Sequence, residues 1–339
     1  YGDHRDLHRV DRRQRQMCIR DRYKVSHEFL SGIGMEPDSM TLASAEEQNP
    51  IIEKLITMGS ESVSDCGGSA TNSLVAASNY GSKCHHVCRV ASDKDGENYL
   101  NSLRAAGVDH IGVSEENTDM PTGKCLILVT PDAKRTMISM LGVSAYLGSS
   151  DIDYDVVENS KIFYIEGYMV TSDENFSAVI SVLEHLKGKD VLKALSLSDS
   201  GIVHGFKDKF DLIESYGLDM IFCNDDEAIA FSGKEDLNSA IELYKNKPYM
   251  TAITLGSEGS VILDKGQEHR CPAEKITPID TNGAGDMFAG SFMHAHLHGY
   301  SYEESAKFGN YASSKVVETF GPRLSADGYA EVLNKLRKG

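Results

Sequence analysis

From about Tyr23 onward, short β-branched runs alternate with amphipathic stretches of helix length. That alternation constrains the fold more than any other feature, because repeated strand–helix–strand units assemble into an α/β fold around a parallel sheet. Strand candidates are His85 to Val90, Lys161 to Ile165, Met220 to Cys223 and Thr251 to Leu255, each preceding a Gly, Asn or Asp turn. Helical patterns follow most of them, as at Asp225 to Ser232 and Asp286 to His298. The alternation breaks once. Gly123 to Thr130 and Arg135 to Leu141 are two extended runs joined by Pro131-Asp132-Ala133-Lys134 with no helix between them. With the isolated run Ser39 to Ala43, they are expected to form a small sheet that projects from one main domain as a lid, made of about residues 35–45 and 116–145.

Length fits that plan, since 339 residues at roughly 150 per domain leave room for one large domain and an appendage. The formal charge of -17, from 34 basic and 51 acidic residues, argues against nucleic acid or an anionic membrane as a partner. An anionic ligand must therefore be held by a local device. No apolar run approaches the ~18 to 20 residues of a membrane helix. Seven cysteines (18, 66, 84, 88, 125, 223 and 271), without the density of a disulfide scaffold, suit reduced thiols and a cytoplasmic location with no structural disulfide.

The first 22 residues stand apart. They hold seven arginines (5, 9, 12, 13, 15, 20 and 22), whereas the other 317 hold six. Aspartates at 3, 6, 11 and 21 interrupt the basic run, and no apolar segment supports a targeting peptide. The stretch Arg13 to Arg22, RQRQMCIRDR, resembles translated adapter sequence from gene assembly. The expectation is an atypical segment over 1–22, non-native or disordered, followed by the domain proper at 23–339. The alternative is a natural basic tail.

The chemistry concentrates in Asp280-Thr281-Asn282-Gly283-Ala284-Gly285-Asp286, which follows the extended run Ile276 to Ile279 and opens a helical pattern. Small residues at 283 to 285 admit a close backbone approach, and their amides at a helix start make an anion-binding nest. Asp286 falls in the first helical turn, where a carboxylate can accept the proton of a hydroxyl attacking a phosphoryl group. A plain Gly-rich turn with a dipole-favoured Asp is the bland alternative.

This heptapeptide resembles the signature of the ribokinase-like (PfkB) carbohydrate and nucleoside kinases. Gly67-Gly68-Ser69-Ala70-Thr71-Asn72 resembles the family's sugar-binding turn, Asn224-Asp225-Asp226-Glu227 its NxxE motif, and Thr254-Leu255-Gly256-Ser257-Glu258-Gly259 its nucleotide-side strand and turn. Lys124-Cys125, Tyr164-Ile165-Glu166-Gly167-Tyr168 and Gly321-Pro322-Arg323-Leu324 are similar to the adenosine kinase-like branch. The resemblance implies a three-layer ribokinase-like α/β fold with a β-sheet lid. It implies that Asp286 is the catalytic base and that Gly283, Ala284 and Gly285, with Asn282, form the anion hole. It further implies that Gly67, Gly68 and Asn72 meet ribose hydroxyls, that Thr254, Gly256, Gly259, Asn224 and Asn310 line the ATP site, and that Asn224 and Glu227 organise Mg²⁺, mostly through water. Without the other motifs, Asn224 and Glu227 read equally as a helix cap and a solvated acid.

On the lid, period-2 alternation groups Met40 with Leu42, and Met137 with Ser139 and Leu141. With Cys125 and Met169, that face is similar to a pocket for a nucleoside base, or it is ordinary core. Arg135 is placed to reach phosphates or simply solvent. Carbonyls beside Asp280 and Asn282, with the loop near Gly321, suit K⁺. The function implied is transfer of the ATP γ-phosphate to the 5′-hydroxyl of a purine nucleoside, adenosine foremost, in purine salvage, by a monomer or homodimer. The alternatives are a kinase for ribose, fructose or 2-keto-3-deoxygluconate, and a non-catalytic nucleoside- or nucleotide-binding protein.

The last alternative arises because family members begin with a strand ending in a sugar-gripping Asp. The sequence RQMCIRDRYKV is not expected to be a buried strand, and Asp21 is not assigned that role. A metal at His294, His296 and His298 is disfavoured, since 296 leaves the face that 294 and 298 share. Cys84-His85-His86-Val87-Cys88 is split across both faces of a strand. P-loop, HExxH and early GxGxxG patterns are missing.

Overall fold

The computed structural model describes residues 19–37, 39–60, 62–115, 119–132 and 134–338. Among them are thirteen strands: β1 (Ile19–Lys24), β2 (Met40–Leu42), β3 (Ser62–Cys66), β4 (Cys84–Ala91), β5 (Val108–Glu115), β6 (Lys124–Val129), β7 (Arg135–Met140), β8 (Ile162–Glu166), β9 (Leu192–Ser196), β10 (Met220–Asn224), β11 (Met250–Thr254), β12 (Ser260–Asp264) and β13 (Gln267–Cys271).

The alternating pattern builds a six-stranded sheet in the order β13-β12-β11-β10-β9-β8. β8 to β11 run parallel, with Met220, Ile221 and Phe222 opposite Ala194, Leu195 and Ser196, and β12 and β13 return antiparallel as a hairpin. Strands buried on both faces read as apolar runs. β10 does so, and its Ile221 and Cys223 enter one core cluster while Met220 and Phe222 enter another on the opposite face. β4 and β5 form a separate parallel pair. The expected strands lie within a residue or so of the observed ones, and the fold is α/β and ribokinase-like.

Two differences bear on the site. First, Ile19–Lys24 is a strand inside the lid sheet, whose order is β2-β7-β6-β1-β3, so the lid has five strands and not three. β1 pairs parallel with β6 and antiparallel with β3. Arg20, Asp21 and Arg22 are buried, and partners meet the last two. Lys124 of β6 lies 3.3 Å from Asp21, and Arg22 lies 3.8 Å from Asp280 and stacks over Phe320. Ile19 and Tyr23, on one face of the strand, join two different apolar clusters. The expectation of no buried strand here is therefore corrected for Ile19–Arg22; residues 1–18, with Cys18, lie outside the described residues. Second, Ile276 to Ile279 is not a strand. Pro272 and Pro278 remove ladder donors around it, Ile279 is exposed, and the amides of Ile279 and Asp280 bond instead to the Val317 carbonyl.

Candidate active site

Ligands of open α/β sheets bind beyond the carboxyl ends of the parallel strands. Here β8 ends at Glu166, β10 at Asn224 and β11 at Thr254. Asn224 and Thr254 are register partners, and the Thr254 hydroxyl donates to the Cys223 carbonyl at 3.3 Å.

The Gly-Ala-Gly bend lies where the sequence places it. Gly283 takes φ +80° and ends the loop, and the helix Ala284–Leu297 starts immediately after. Only glycine fits there, since a Cβ would stand 2.6 Å from Pro322 Cβ. Gly285, the second residue of that helix, is exposed, with nothing within 4 Å of a Cβ built on it. The bend thus sets the exposed Gly285 at the positive end of a 14-residue helix, while the Ala284 amide donates to the Thr281 carbonyl at 3.4 Å. The loop before it is fixed by Asp280, whose Oδ1 accepts the Asn282 amide at 2.9 Å and whose Oδ2 accepts the Gly321 amide at 3.2 Å.

Asp286 is 3% exposed, and its two oxygens are claimed by one neighbouring turn. The Ser69 hydroxyl donates to Oδ1 at 2.6 Å and the Asn72 amide to Oδ2 at 2.8 Å. Arg323 Nε in turn donates to Asn72 Oδ1 at 3.0 Å. Asn72 therefore reaches the expected base directly. Gly67 and Gly68, at the start of the Ser69–Asn79 helix, line a cavity of about 180 Å³ together with Tyr164, Glu166 and Met169. Arg20 lies against Gly67, with its Nε 2.6 Å from the place a Cβ would take.

Asn224 and Glu227 form a reciprocal capping box on the helix Asp225–Ser232. The Glu227 amide donates to Asn224 Oδ1 at 2.8 Å, and the Asn224 amide donates to Glu227 Oε2 at 3.0 Å. Gly256 (φ +59°) and Gly259 (φ +95°) turn the chain between β11 and β12. Asn310 spends its amide on the Cys271 carbonyl at 2.8 Å, which holds the strand end that packs on Gly259. On the lid, Cys125, Ile127, Met137 and Leu141 share one apolar cluster, Ser139 donates to Cys125 Sγ at 3.6 Å, and Leu42 is 60% exposed. Met40 is the register partner of Met137. Met169 packs instead on the main core.

Ser69, Glu166 and Arg323 are functional candidates that sequence reasoning quoted inside motifs and left without roles. His294 bonds Ser82 and lies tilted against His298 with ring centroids 4.2 Å apart, and His296 stacks on Tyr302. Burial pushes the Cys84 and Cys88 thiols up to about 12. The six described cysteines are free thiols, and among the described residues no group of three or more His, Cys, Asp or Glu could hold a metal. No described helix is long and apolar enough to cross a membrane.

A sheet of this order with a β lid, and a buried acid beside an open helix start, define a phosphotransferase scaffold of the kinase type. The sequence profile of the pfkB family carbohydrate kinases matches residues 39–327, and the chain belongs to that family. It is 28% identical over 323 residues to an adenosine kinase of Saccharomyces cerevisiae, spanning 89% of this chain and 93% of that protein. Among solved structures it is similar to adenosine kinase from Sinorhizobium meliloti, with TM-score 0.82, 30% identity and coverage of 95% and 96% of the two chains. It is also similar to a probable sugar kinase from Rhizobium etli, with TM-score 0.82, 28% identity and coverage of 94% and 96%.

Proposed function

We propose that this kinase transfers the γ-phosphate of ATP to the 5′-hydroxyl of a purine nucleoside, with adenosine as the preferred acceptor. The observation that carries the reading is the pairing of Asp286, clamped by Ser69 and Asn72, with a glycine bend at the start of the same helix, whose Gly285 is exposed with nothing within 4 Å of a Cβ. A carboxylate has about four lone-pair sites, so the two donors still leave Asp286 able to accept a substrate hydroxyl's proton. The amides of Gly283, Ala284 and Gly285, with Asn282, meet the charge that develops on the transferring group, which is the larger electrostatic contribution.

Gly67 and Gly68 present backbone to the sugar, and Thr254, Gly256, Gly259 and Asn310 border ATP. The oxygen donors of Asn224 and Glu227 suit Mg²⁺. Because both Glu227 oxygens are engaged in the capping box, they would hold it through water. Mg²⁺ would neutralise phosphate charge, while this chain's own residues orient the acceptor and take its proton. The loop tied by Asp280 to Asn282 and Gly321 is where K⁺ would act. The apolar cluster of Cys125, Ile127, Met137 and Leu141 supports a nucleoside base over a bare sugar.

The deciding experiment is ADP release with adenosine, inosine, guanosine, ribose and fructose, in KCl and in choline chloride. Adenosine should lead, and Asp286→Asn should abolish turnover while sparing binding. Ribose or fructose leading would replace the nucleoside reading with a sugar kinase, and binding without ADP release would leave a non-catalytic binder.

A further inference from the structure

The Glu166 carboxylate, at the carboxyl end of β8, is 7% exposed and has no part in the chemistry above. Burying a carboxylate is costly unless donors meet it. The Ser69 amide donates to its Oε1 at 3.1 Å. That amide belongs to a helix start that needs an acceptor: the Ser69–Asn79 helix begins at Gly68, in a φ +118° conformation with no side chain to cap it. A helix start leaves four amides without intrahelical partners. Glu166 supplies the acceptor from 97 residues away and, when ionised, sets a negative charge at the positive end of the helix dipole. The same first turn carries the Ser69 hydroxyl and the Asn72 amide onto Asp286.

We propose that Glu166 is a positioning residue for Asp286: by receiving the Ser69 amide it fixes the turn whose Ser69 and Asn72 side chains hold the base. The proposal rests on the kinase reading above. Asp286 faces Glu166 from the Ala284–Leu297 helix, Arg20 from β1 and Tyr164 from β8 itself. Burial, then the charge of Asp286, pushes the Glu166 carboxyl up to about 7, against the lowering pull of the Ser69 and Ala70 amides and Arg20. The folded chain therefore holds this proton more tightly than the unfolded chain, whose carboxyl has the ordinary value of 4.5. The stability it contributes is full below that value and is lost as pH rises through about 7.

The test uses Glu166→Gln and Glu166→Ala in the full chain. Glu166→Gln keeps an oxygen acceptor and removes a like charge beside the base. The acid limb of kcat/KM should move to lower pH by roughly half a unit or more, and the loss of melting temperature between pH 4.5 and 7 should flatten. Glu166→Ala should lower kcat roughly ten- to a hundredfold with KM for ATP unchanged, speed hydrogen exchange of the Ser69 amide, and be rescued by Gln. Wild-type kcat in Glu166→Ala, or a Glu166→Gln melting curve that superimposes on wild type across this pH range, overturns the proposal. If the unsubstituted protein phosphorylates no acceptor, the kinase reading fails alone. Faster Ser69 exchange in Glu166→Ala then still supports the clamp, and unchanged exchange overturns it.

Discussion

The Ser69 hydroxyl lies 2.6 Å from Asp286 Oδ1, although 217 residues separate the two in the chain. The bond joins the turn that borders the cavity to the helix that opens the phosphate-sized bend. Asp286, the base of the proposed reaction, is thus aligned by the element expected to hold the acceptor.

Removing that bond should be felt in turnover more than in stability. A hydrogen bond to a charged group contributes ~1.5 to 3 kcal/mol, so Ser69→Ala should lower kcat/KM roughly ten- to a hundredfold. Steady-state kinetics beside a thermal melt checks this. An unchanged rate would detach Ser69 from the chemistry.

Two glycines of one bend should behave oppositely. Gly283→Ala forces a left-handed backbone at about 1–2 kcal/mol and drives a methyl into Pro322, so the melting temperature should drop by several degrees. Gly285→Ala meets nothing within 4 Å and should hold or raise stability by up to ~1 kcal/mol, yet its methyl projects from the bend and turnover should collapse. Calorimetry and ADP release on the pair distinguish the two effects.

His294 gives the fold a dependence on acid. Burial, then His298 and Arg337, lowers its pKa from 6.5 to about 4. The unfolded chain takes the proton first, so the stability it contributes is present above 6.5 and is lost as pH falls toward 4. His294→Gln should lose less melting temperature than wild type between pH 6.5 and 4.5. A parallel loss in both would assign the acid sensitivity to other groups.

The lid should select the base. Leu42 is exposed at its rim, and Leu42→Ser should raise KM for adenosine roughly three- to tenfold, with the melting temperature and any ribose turnover unchanged. Equal effects on both acceptors would mean that this face does not touch the base.

What could be read from sequence was what short spacing encodes. The Asn224–Glu227 box and the Gly283–Asp286 helix start are local, and both formed as their residues dictate. β1 was illegible because the burial of Asp21 and Arg22 depends on Lys124, Asp280 and Phe320, which come from distant segments. Ile276 to Ile279 reads as extended, yet Pro272 before it, Pro278 within it and the Val317 carbonyl draw it away from any sheet. Glu166 sat inside a recognised motif, but its partner is an amide 97 residues off, and no pattern in a single sequence names that pairing.

β3 is an outer strand of the lid, and just two glycines separate its last residue, Cys66, from Ser69. So short a coupling has almost no slack, so a shift of this strand would carry straight through to the hydroxyl that steadies Asp286.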